Sequence, residues 1–202
     1  MVQVKKAEVR DAILESAARL FEEKGYVGTS ISEIGQSAGV APSGIYIYFN
    51  SKLDLFYTIF SPWLEDRLNR LDWELREING HRNKVLRIVE TLWIDIPGES
   101  NFFANNLMQV VSTVAKTDHY DGNLLERCEQ QVAKMLRTAA PISARDRTDH
   151  ASLAHILFMS FNGFVAGAYL GVRSDKAVTS IEAMTDLIVR ASTPSLMPVP
   201  GR

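Results

Sequence analysis

The sequence TSISEIGQSAGVAPSGIYIY, residues 29–48, contains two short helix patterns joined by a tight turn. Ser30 and Glu33 lie three residues apart, the spacing of a capping box at the start of a helix. Gly39 ends the first pattern, and Pro42 suits the first position of a second helix because no amide is needed there. We therefore predict a helix-turn-helix, a motif whose second helix enters the major groove when it binds DNA.

The second helix has a predicted buried side and a predicted exposed side. Ile45 and Phe49 lie four residues apart and mark the buried side, so Tyr46 and Tyr48 point largely away from it. Two exposed aromatic side chains on a short helix indicate a binding surface. The alternative is that the tyrosines only pack and that hydroxyls such as that of Ser30 only cap helices.

The charge of the chain limits the mode of DNA binding. With 22 Lys and Arg against 24 Asp and Glu, the net charge of −2 excludes a basic protein that coats nucleic acid non-specifically. No acidic residue lies between Glu33 and Asp54, and Lys52 is the only cation in that stretch. Phosphate contacts are therefore expected mainly from hydroxyl and amide groups, with Lys5, Lys6 and Arg10 adding charge from the N-terminal arm.

Over residues 9–56 the chain resembles the N-terminal domain of TetR-type (tetracycline-repressor-like) transcriptional regulators. The agreement in order and spacing comprises Gly25-Tyr26, Thr29-Ser30, Ile34, Ala38-Gly39-Val40, Pro42, Tyr46, Tyr48-Phe49 and Ser51-Lys52. The resemblance implies an all-helical homodimer that binds operator DNA, responds to a small molecule and usually represses transcription. It also implies DNA contacts at Pro42, Ser43, Gly44, Tyr46, Ile47, Tyr48 and Lys52, with Thr29 and Ser30 near a phosphate. Gly44 and Ile47 depart from the residues common in the family, which affects the operator sequence expected.

The rest of the chain is predicted to be helical, so the fold class is all-α. Apolar residues recur at three- and four-residue steps, and no stretch alternates with a period of two. We expect a DNA-binding domain over residues 1–50, an effector-binding and dimerisation domain over 51–192, and a mobile tail over 193–202. The helices of the second domain are predicted near 51–77, interrupted or kinked at Pro62, and near 81–96, 101–116, 122–138, 148–172 and 178–191.

Aromatic and amide side chains of the second domain are candidates for the lining of an effector pocket. They are Trp63, Trp93, Phe102, Phe103, Asn106, Met108, Gln109, Tyr120, Phe158, Phe161 and Tyr169. Neutral aromatic linings suit lipophilic molecules of moderate size. The alternative is that the aromatic residues form the ordinary core and that Asn106 and Gln109 face water.

A glycine ridge is the candidate dimer surface. Gly163, Gly167 and Gly171 recur every four residues, which favours close approach of another helix. Together with Met184, Leu187 and Ile188 on the next helix, the ridge resembles the four-helix dimer interface of the family. The alternatives are a helix of the same chain or space for a ligand.

Other classes of function have little support in the sequence. Cys128 is the only cysteine, and no pattern indicates a metal site, a cofactor or a catalytic group, so we expect no enzyme. The stretch Leu153–Val172 carries no charged residue, but a buried helix is favoured over a membrane span. The expected location is the cytoplasm. Rival functions are a DNA-binding structural protein without an effector and a helical small-molecule carrier that has lost DNA binding.

Overall fold

A computed structural model of the chain describes residues 2–99, 103–113, 123–141, 149–169 and 175–192. Within these ranges every regular element is helical, which confirms the predicted all-α class. The helices are α1 (Val2–Gly28), α2 (Ile31–Ala38), α3 (Pro42–Ile45), α4 (Lys52–Glu77), α5 (His81–Glu90), α6 (Ile96–Gly98), α7 (Phe103–Thr113), α8 (Asn123–Ala139), α9 (His150–Tyr169) and α10 (Asp175–Ser192). A π-helical turn, Thr91–Asp95, joins α5 to α6.

Helix α1 changes direction at Gly25, near its end. Gly25 has φ 75° and ψ 169°, a backbone conformation that residues other than glycine rarely adopt. The hydroxyl of Thr29 contacts the carbonyl oxygens of Leu20 (3.0 Å) and Gly25 (2.8 Å), and so satisfies carbonyl groups at this helix end.

Two prolines affect the later helices differently. Pro62 lies on the exposed side of α4, which continues through it, so an interruption there is wrong, whereas the alternative of a kink stays a prediction. Pro97, in contrast, directly follows the π-helical turn, in which the Ile96 amide donates to the Thr91 carbonyl five residues back. An α-helical path would bring the Pro97 ring against the carbonyl of Trp93, and the wider turn avoids this clash. The single helix predicted over 81–96 is therefore an α-helix followed by a π-helical turn.

The chain forms two compact units. The first comprises Met1–Asp66 and Glu99–Gly122, and the second comprises Arg67–Gly98 and Asn123–Arg202. By contacts, α7 thus belongs with α1, α2 and α3. The predicted functional division at residue 50 stays a prediction.

The first unit has an aromatic core that joins α1, α4 and α7. The ring of Phe56 lies between those of Phe21 (6.3 Å between centroids), Tyr26 (5.8 Å) and Phe60 (4.4 Å). Phe103 of α7 packs on Phe60 at 5.4 Å. Because buried aromatic side chains contribute large apolar areas, these contacts fix α7 against the N-terminal helices.

The second unit packs α8 against α9 and α5 against α10. On the surface of the α5–α10 pair, the guanidinium group of Arg82 binds Glu182 and lies 3.1 Å from Asp186. Arg87 joins Glu74 (2.9 Å) to Asp95 (2.6 Å), and these carboxylates raise the pKa of Arg87 although its partial burial opposes them. Ion pairs thus link the helix ends around the apolar core of this unit.

In the part of the chain that the structure describes, no helix combines the length and the apolar character that a membrane crossing requires.

Candidate nucleic-acid interface

The start of α2 has the predicted capping box. The Ser30 hydroxyl accepts a hydrogen bond from the Glu33 amide (3.2 Å), and a Glu33 carboxylate oxygen accepts one from the Ser30 amide (2.9 Å). The ammonium group of Lys24 donates to the other carboxylate oxygen at 2.7 Å. This hydrogen bond, followed by those from Ser30, lowers the pKa of Glu33 from 4.5 to about 2. The one acid near the motif is therefore ionised and paired.

The turn between α2 and α3 depends on two glycines. Gly39 has φ 70° and ends α2 in the left-handed conformation, as predicted. Gly35 is buried, and a Cβ atom there would lie 2.8 Å from the carbonyl oxygen of Val40. The role of Gly35 was not predicted from the sequence, although a glycine inside a short helix is a signal of close packing. Close contact at Gly35 lets the chain fold back and bring Pro42 into position to begin α3.

Helix α3 ends at Ile45, so the second helix is shorter than the pattern through Tyr48 predicts, and residues 46–48 form a turn that directly follows it. Ile45 and Phe49 are buried, at 1% and 3% exposure. Tyr46 is 56% exposed and Ile47 is 72% exposed, whereas Tyr48 is half-buried. Helix α3 and the turn after it thus bury one side and leave a large aromatic and a large aliphatic side chain exposed to water.

The remaining predicted contact residues of α3 surround this exposed pair. Pro42 and Ser43 are exposed, and Gly44 is half-buried with open space beside it: its added Cβ would meet nothing nearer than the Val40 side chain at 3.9 Å. Arg10 of α1 lies over the ring of Phe49, with 5.3 Å from the guanidinium carbon to the ring centroid. A cation therefore lies beside the end of the motif.

Thr29, which the resemblance places near a phosphate, and Lys52, which it places in contact with DNA, both bind the protein itself. Thr29 is buried, and its hydroxyl is engaged with the carbonyl groups at the end of α1. The Lys52 ammonium donates to the carbonyl oxygens of Tyr26 (2.8 Å) and Thr29 (2.9 Å), and lies 4.2 Å from the centroid of the Tyr26 ring. Burial lowers the pKa of Lys52 below its ordinary value. Among these positions, Ser30 offers the exposed hydroxyl.

The amide candidates for the effector pocket lie elsewhere than expected. Asn106 is buried, and its side-chain amide donates to the Phe21 carbonyl at 3.1 Å. Gln109 accepts from the Val27 amide at 2.7 Å. We expected these two amides to face water or a ligand. Instead, Nδ2 of Asn106 and Oε1 of Gln109 bind backbone groups near the end of α1.

The aromatic candidates are mostly core residues. Trp93 is 4% exposed, stacks on Phe164 at 4.5 Å and donates its indole N–H to the Leu157 carbonyl at 3.1 Å. Trp63 is half-buried and lies 4.9 Å from Phe103. Phe103, Phe158 and Phe161 are buried, and Met108 is half-buried. Phe102, Tyr120 and the side chain of Tyr169 lie outside the described residues. Effector contact stays a prediction for the aromatic set.

The dimer candidates include an exposed apolar face on each of the last two helices. On α9, Gly163 is exposed, and a Cβ added there would meet nothing within 4 Å among the described residues. Ile156 and Met159, each 46% exposed, lie on the same side of α9. On α10, Leu187 is 61% exposed and Met184 half-buried, whereas Ile188 is 1% exposed and belongs to the core. Gly167 is half-buried, and Gly171 lies outside the described residues.

The exposed α3, braced by a capped α2 across a tight glycine turn, is the architecture of a helix-turn-helix DNA-binding protein. Residues 13–58 match the family model of the tetR family of bacterial regulatory proteins. This match covers α2 and α3 completely, together with much of α1 and the start of α4.

Relatives named as transcription regulators share the N-terminal part of the chain. The fatty acid metabolism regulator protein of Bacillus subtilis is 26% identical over 89 residues, which are 44% of this chain and 46% of that protein. The transcriptional regulator AcrR of Shigella flexneri is 40% identical over 72 residues, 36% of this chain and 27% of that protein. The chain therefore spans less than half the length of either relative.

A solved structure shares the whole fold. Thermus thermophilus FadR, a TetR-family transcriptional repressor solved in complex with lauroyl-CoA, superposes with a TM-score of 0.68 over 96% of this chain and 100% of that one, at 17% identity. At this identity the likeness shows the fold alone: a helix-turn-helix domain followed by a helical domain.

Proposed function

We propose that the protein is a transcriptional repressor that binds a palindromic operator as a homodimer and leaves it when a small lipophilic effector binds. The observation that carries this proposal is the exposed surface of α3 and the turn that follows it, where the side chains of Tyr46 and Ile47 face water. The tyrosine hydroxyl offers a phosphate or base contact, and the Ile47 side chain suits the methyl group of thymine.

The absence of acidic side chains over residues 34–53 supports DNA contact at this surface. Glu33, the acid directly before that stretch, is paired with Lys24. Hydroxyl groups of Ser30, Ser43 and Tyr46 then carry most of the phosphate contacts, because Lys52 is partly engaged with backbone carbonyls.

The exposed apolar faces of α9 and α10 support the homodimer. Two copies that pair these faces would cover Ile156, Met159 and Leu187, and the open space beside Gly163 would admit a close helix. In a symmetric dimer the two α3 helices read two half-sites, about 34–36 Å apart on successive turns of the major groove.

Fatty acyl-CoA thioesters are the first effector class to test. The Bacillus subtilis relative is named for fatty acid metabolism, and the Thermus thermophilus structure holds lauroyl-CoA. An effector releases DNA only through its different affinity for the two arrangements of the dimer, and a near-complete switch needs about 5.5 kcal/mol of difference. A repressor of this kind acts in the cytoplasm, where the operator lies.

A gel shift with the intergenic DNA upstream of the protein's own gene tests the proposal. We expect a discrete complex at low nanomolar to micromolar protein that unlabelled scrambled DNA does not displace, and that acyl-CoA of increasing chain length dissolves. Equal competition by scrambled DNA would contradict operator recognition. A complex that survives every acyl-CoA, while quenching of tryptophan fluorescence also shows no binding, would contradict the effector class and leave operator binding standing.

A further inference from the structure

The turn that leads from α1 into α2, residues 25–30, is held by side chains distant from it in sequence. On one side, Oε1 of Gln109 accepts a hydrogen bond from the Val27 amide at 2.7 Å. One helical turn earlier, the buried Asn106 donates to the carbonyl of Phe21 at 3.1 Å. Both amides belong to α7, so this helix binds two backbone groups at the end of α1.

Gly25 and Gln109 fit each other closely. A Cβ atom at Gly25 would lie 2.6 Å from Nε2 and 2.8 Å from Oε1 of Gln109. Only a residue without a side chain leaves space for this amide, and the φ of 75° at Gly25 favours glycine independently. Nε2 of Gln109 also donates to the side-chain oxygen of Asn105 at 3.1 Å, which fixes the orientation of the Gln109 amide.

Helix α4 holds the same turn from another direction. The ammonium group of Lys52 donates to the carbonyl oxygens of Tyr26 and Thr29, which flank Val27 and Gly28. The backbone of the turn is therefore bonded to α7 through Val27 and to α4 through its neighbours. Since Ser30 caps α2 directly after the turn, and α2 contacts α3 at Gly35, the position of the turn sets that of α3.

We propose that Asn106 and Gln109 are positioning residues for operator binding, which act by fixing the α1–α2 turn and thereby the orientation of α3. The proposal rests on the proposed function and extends the DNA-binding machinery beyond the matched segment 13–58 to a helix about 50 residues further along the chain. Neither residue needs to contact DNA or effector for this role.

The physical basis is the population of the binding-competent arrangement. Without the Gln109 acceptor, the Val27 amide must turn to water, so arrangements in which the turn has moved become more populated. Apparent affinity falls in proportion to the competent fraction, whereas the number of phosphate contacts in the complex is unchanged.

The test compares Gln109→Met with the parent and with Ser112→Ala. Methionine keeps the length and flexibility of the side chain but lacks the amide. Ser112 is exposed on the same helix, and its hydroxyl bonds only within α7, to the Gln109 carbonyl, among the contacts described. Operator affinity is measured by fluorescence anisotropy over a salt series at a temperature well below each unfolding midpoint. Amide exchange at Val27 is measured by NMR without DNA.

For Gln109→Met we expect about three- to tenfold weaker operator binding, an unchanged slope of log K against log salt, and faster exchange at Val27. Ser112→Ala should match the parent in all three. Gln109→Glu, which keeps an acceptor, should retain slow exchange at Val27.

If the Val27 amide exchanges as slowly in Gln109→Met as in the parent, Gln109 does not hold the α1–α2 turn. If exchange becomes faster but operator affinity does not fall, holding the turn does not contribute to operator binding. A salt slope reduced by about one would show a phosphate contact instead. A parent protein that binds no operator would overturn the proposed function. The exchange measurement would still show whether Gln109 holds the α1–α2 turn.

Discussion

At the residue scale, a side chain's role depends on which backbone groups the fold brings to it. The sequence shows that Lys52 is the only cation between Glu33 and Asp54, but not that its ammonium group donates to two carbonyl oxygens of residues 23 and 26 positions earlier. The same holds for Thr29, because its hydroxyl bonds to the carbonyl oxygens of Leu20 and Gly25 near the end of α1. Substitution of either residue therefore disturbs the turn between α1 and α2, and any change in DNA binding would reflect that turn first.

Glu33 provides a pH-dependent test of the capping box. Its pKa of about 2 lies below the ordinary value of 4.5, so the unfolded chain binds the proton more tightly. The stability that Glu33 contributes is therefore present above about pH 4.5 and is lost as the pH falls towards 2. We expect Glu33→Gln to melt at a lower temperature than the parent at pH 7, with a difference that shrinks as the pH approaches 2.

Thermal melts by circular dichroism between pH 7 and 2.5 check this expectation. Glu22→Gln, a substitution of an exposed acid on α1, serves as the control for loss of one negative charge. A Glu33→Gln difference that is independent of pH would mean that the carboxylate charge does not support the cap.

Local sequence signals correctly predicted what is decided within a few residues. The capping box at Ser30, the left-handed end at Gly39 and the buried pair Ile45 and Phe49 all follow from spacing over three or four positions. The roles of Asn106 and Gln109 could not be predicted in this way. Their partners lie 85 and 82 residues away, and an amide on an apolar helix is equally suited to a backbone group, a ligand or water.

At the element scale, the helix-turn-helix contains two glycines with opposite requirements. At Gly35 an added methyl group would collide with the Val40 carbonyl at 2.8 Å, whereas at Gly44 it would meet nothing within ordinary contact distance except the Val40 side chain at 3.9 Å. Gly35→Ala should therefore lower the free energy of unfolding, by about 1–3 kcal/mol. Gly44→Ala should raise it, by up to about 1 kcal/mol, because alanine favours the helix.

Denaturant unfolding of the two alanine variants measures these opposite effects on stability. Operator affinity is measured on the same variants. Gly44→Ala should bind operator more weakly in spite of its greater stability if the backbone of α3 approaches the DNA closely at this position. Equal stability of the two variants would show that the packing of α2 on the turn differs from the structure described.

The π-helical turn before Pro97 illustrates a different limit of prediction at this scale. Apolar periodicity over 81–96 indicates one helix, and Pro97 directly after it is typical of a helix end. The turn arises because the helix continues into Pro97 through α6, which requires the carbonyl of Trp93 to move away from the ring. Trp93, within this turn, stacks on Phe164 at 4.5 Å, a contact between residues 71 positions apart that local periodicity does not indicate.

At the scale of the whole molecule, the proposed dimer predicts which exposed leucine matters. Leu187 and Val178 are exposed to a similar degree, 61% and 67%, but lie on opposite sides of α10 because nine residues correspond to two and a half turns. Leu187→Glu should place a charge inside the α9–α10 interface and shift the protein towards monomer, with loss of operator binding at moderate concentration. Val178→Glu should leave both properties unchanged.

Sedimentation velocity over a concentration series measures this difference directly. A Leu187→Glu variant that remains dimeric and binds operator normally would place the dimer interface elsewhere. A parent that is monomeric at the concentration where it saturates an operator would contradict the two-half-site arrangement itself.

Tyr46→Ala tests most directly whether the exposed surface of α3 and the turn after it reads the operator. The side chain is 56% exposed, so its removal should change the free energy of unfolding by no more than about 0.5 kcal/mol. Binding to operator and to scrambled DNA of equal length is then measured in parallel at matched salt. We predict that operator affinity falls at least tenfold, about 1.4 kcal/mol, while affinity for scrambled DNA falls much less. A Tyr46→Ala protein that binds operator as tightly as the parent would contradict the placement of the recognition surface on α3.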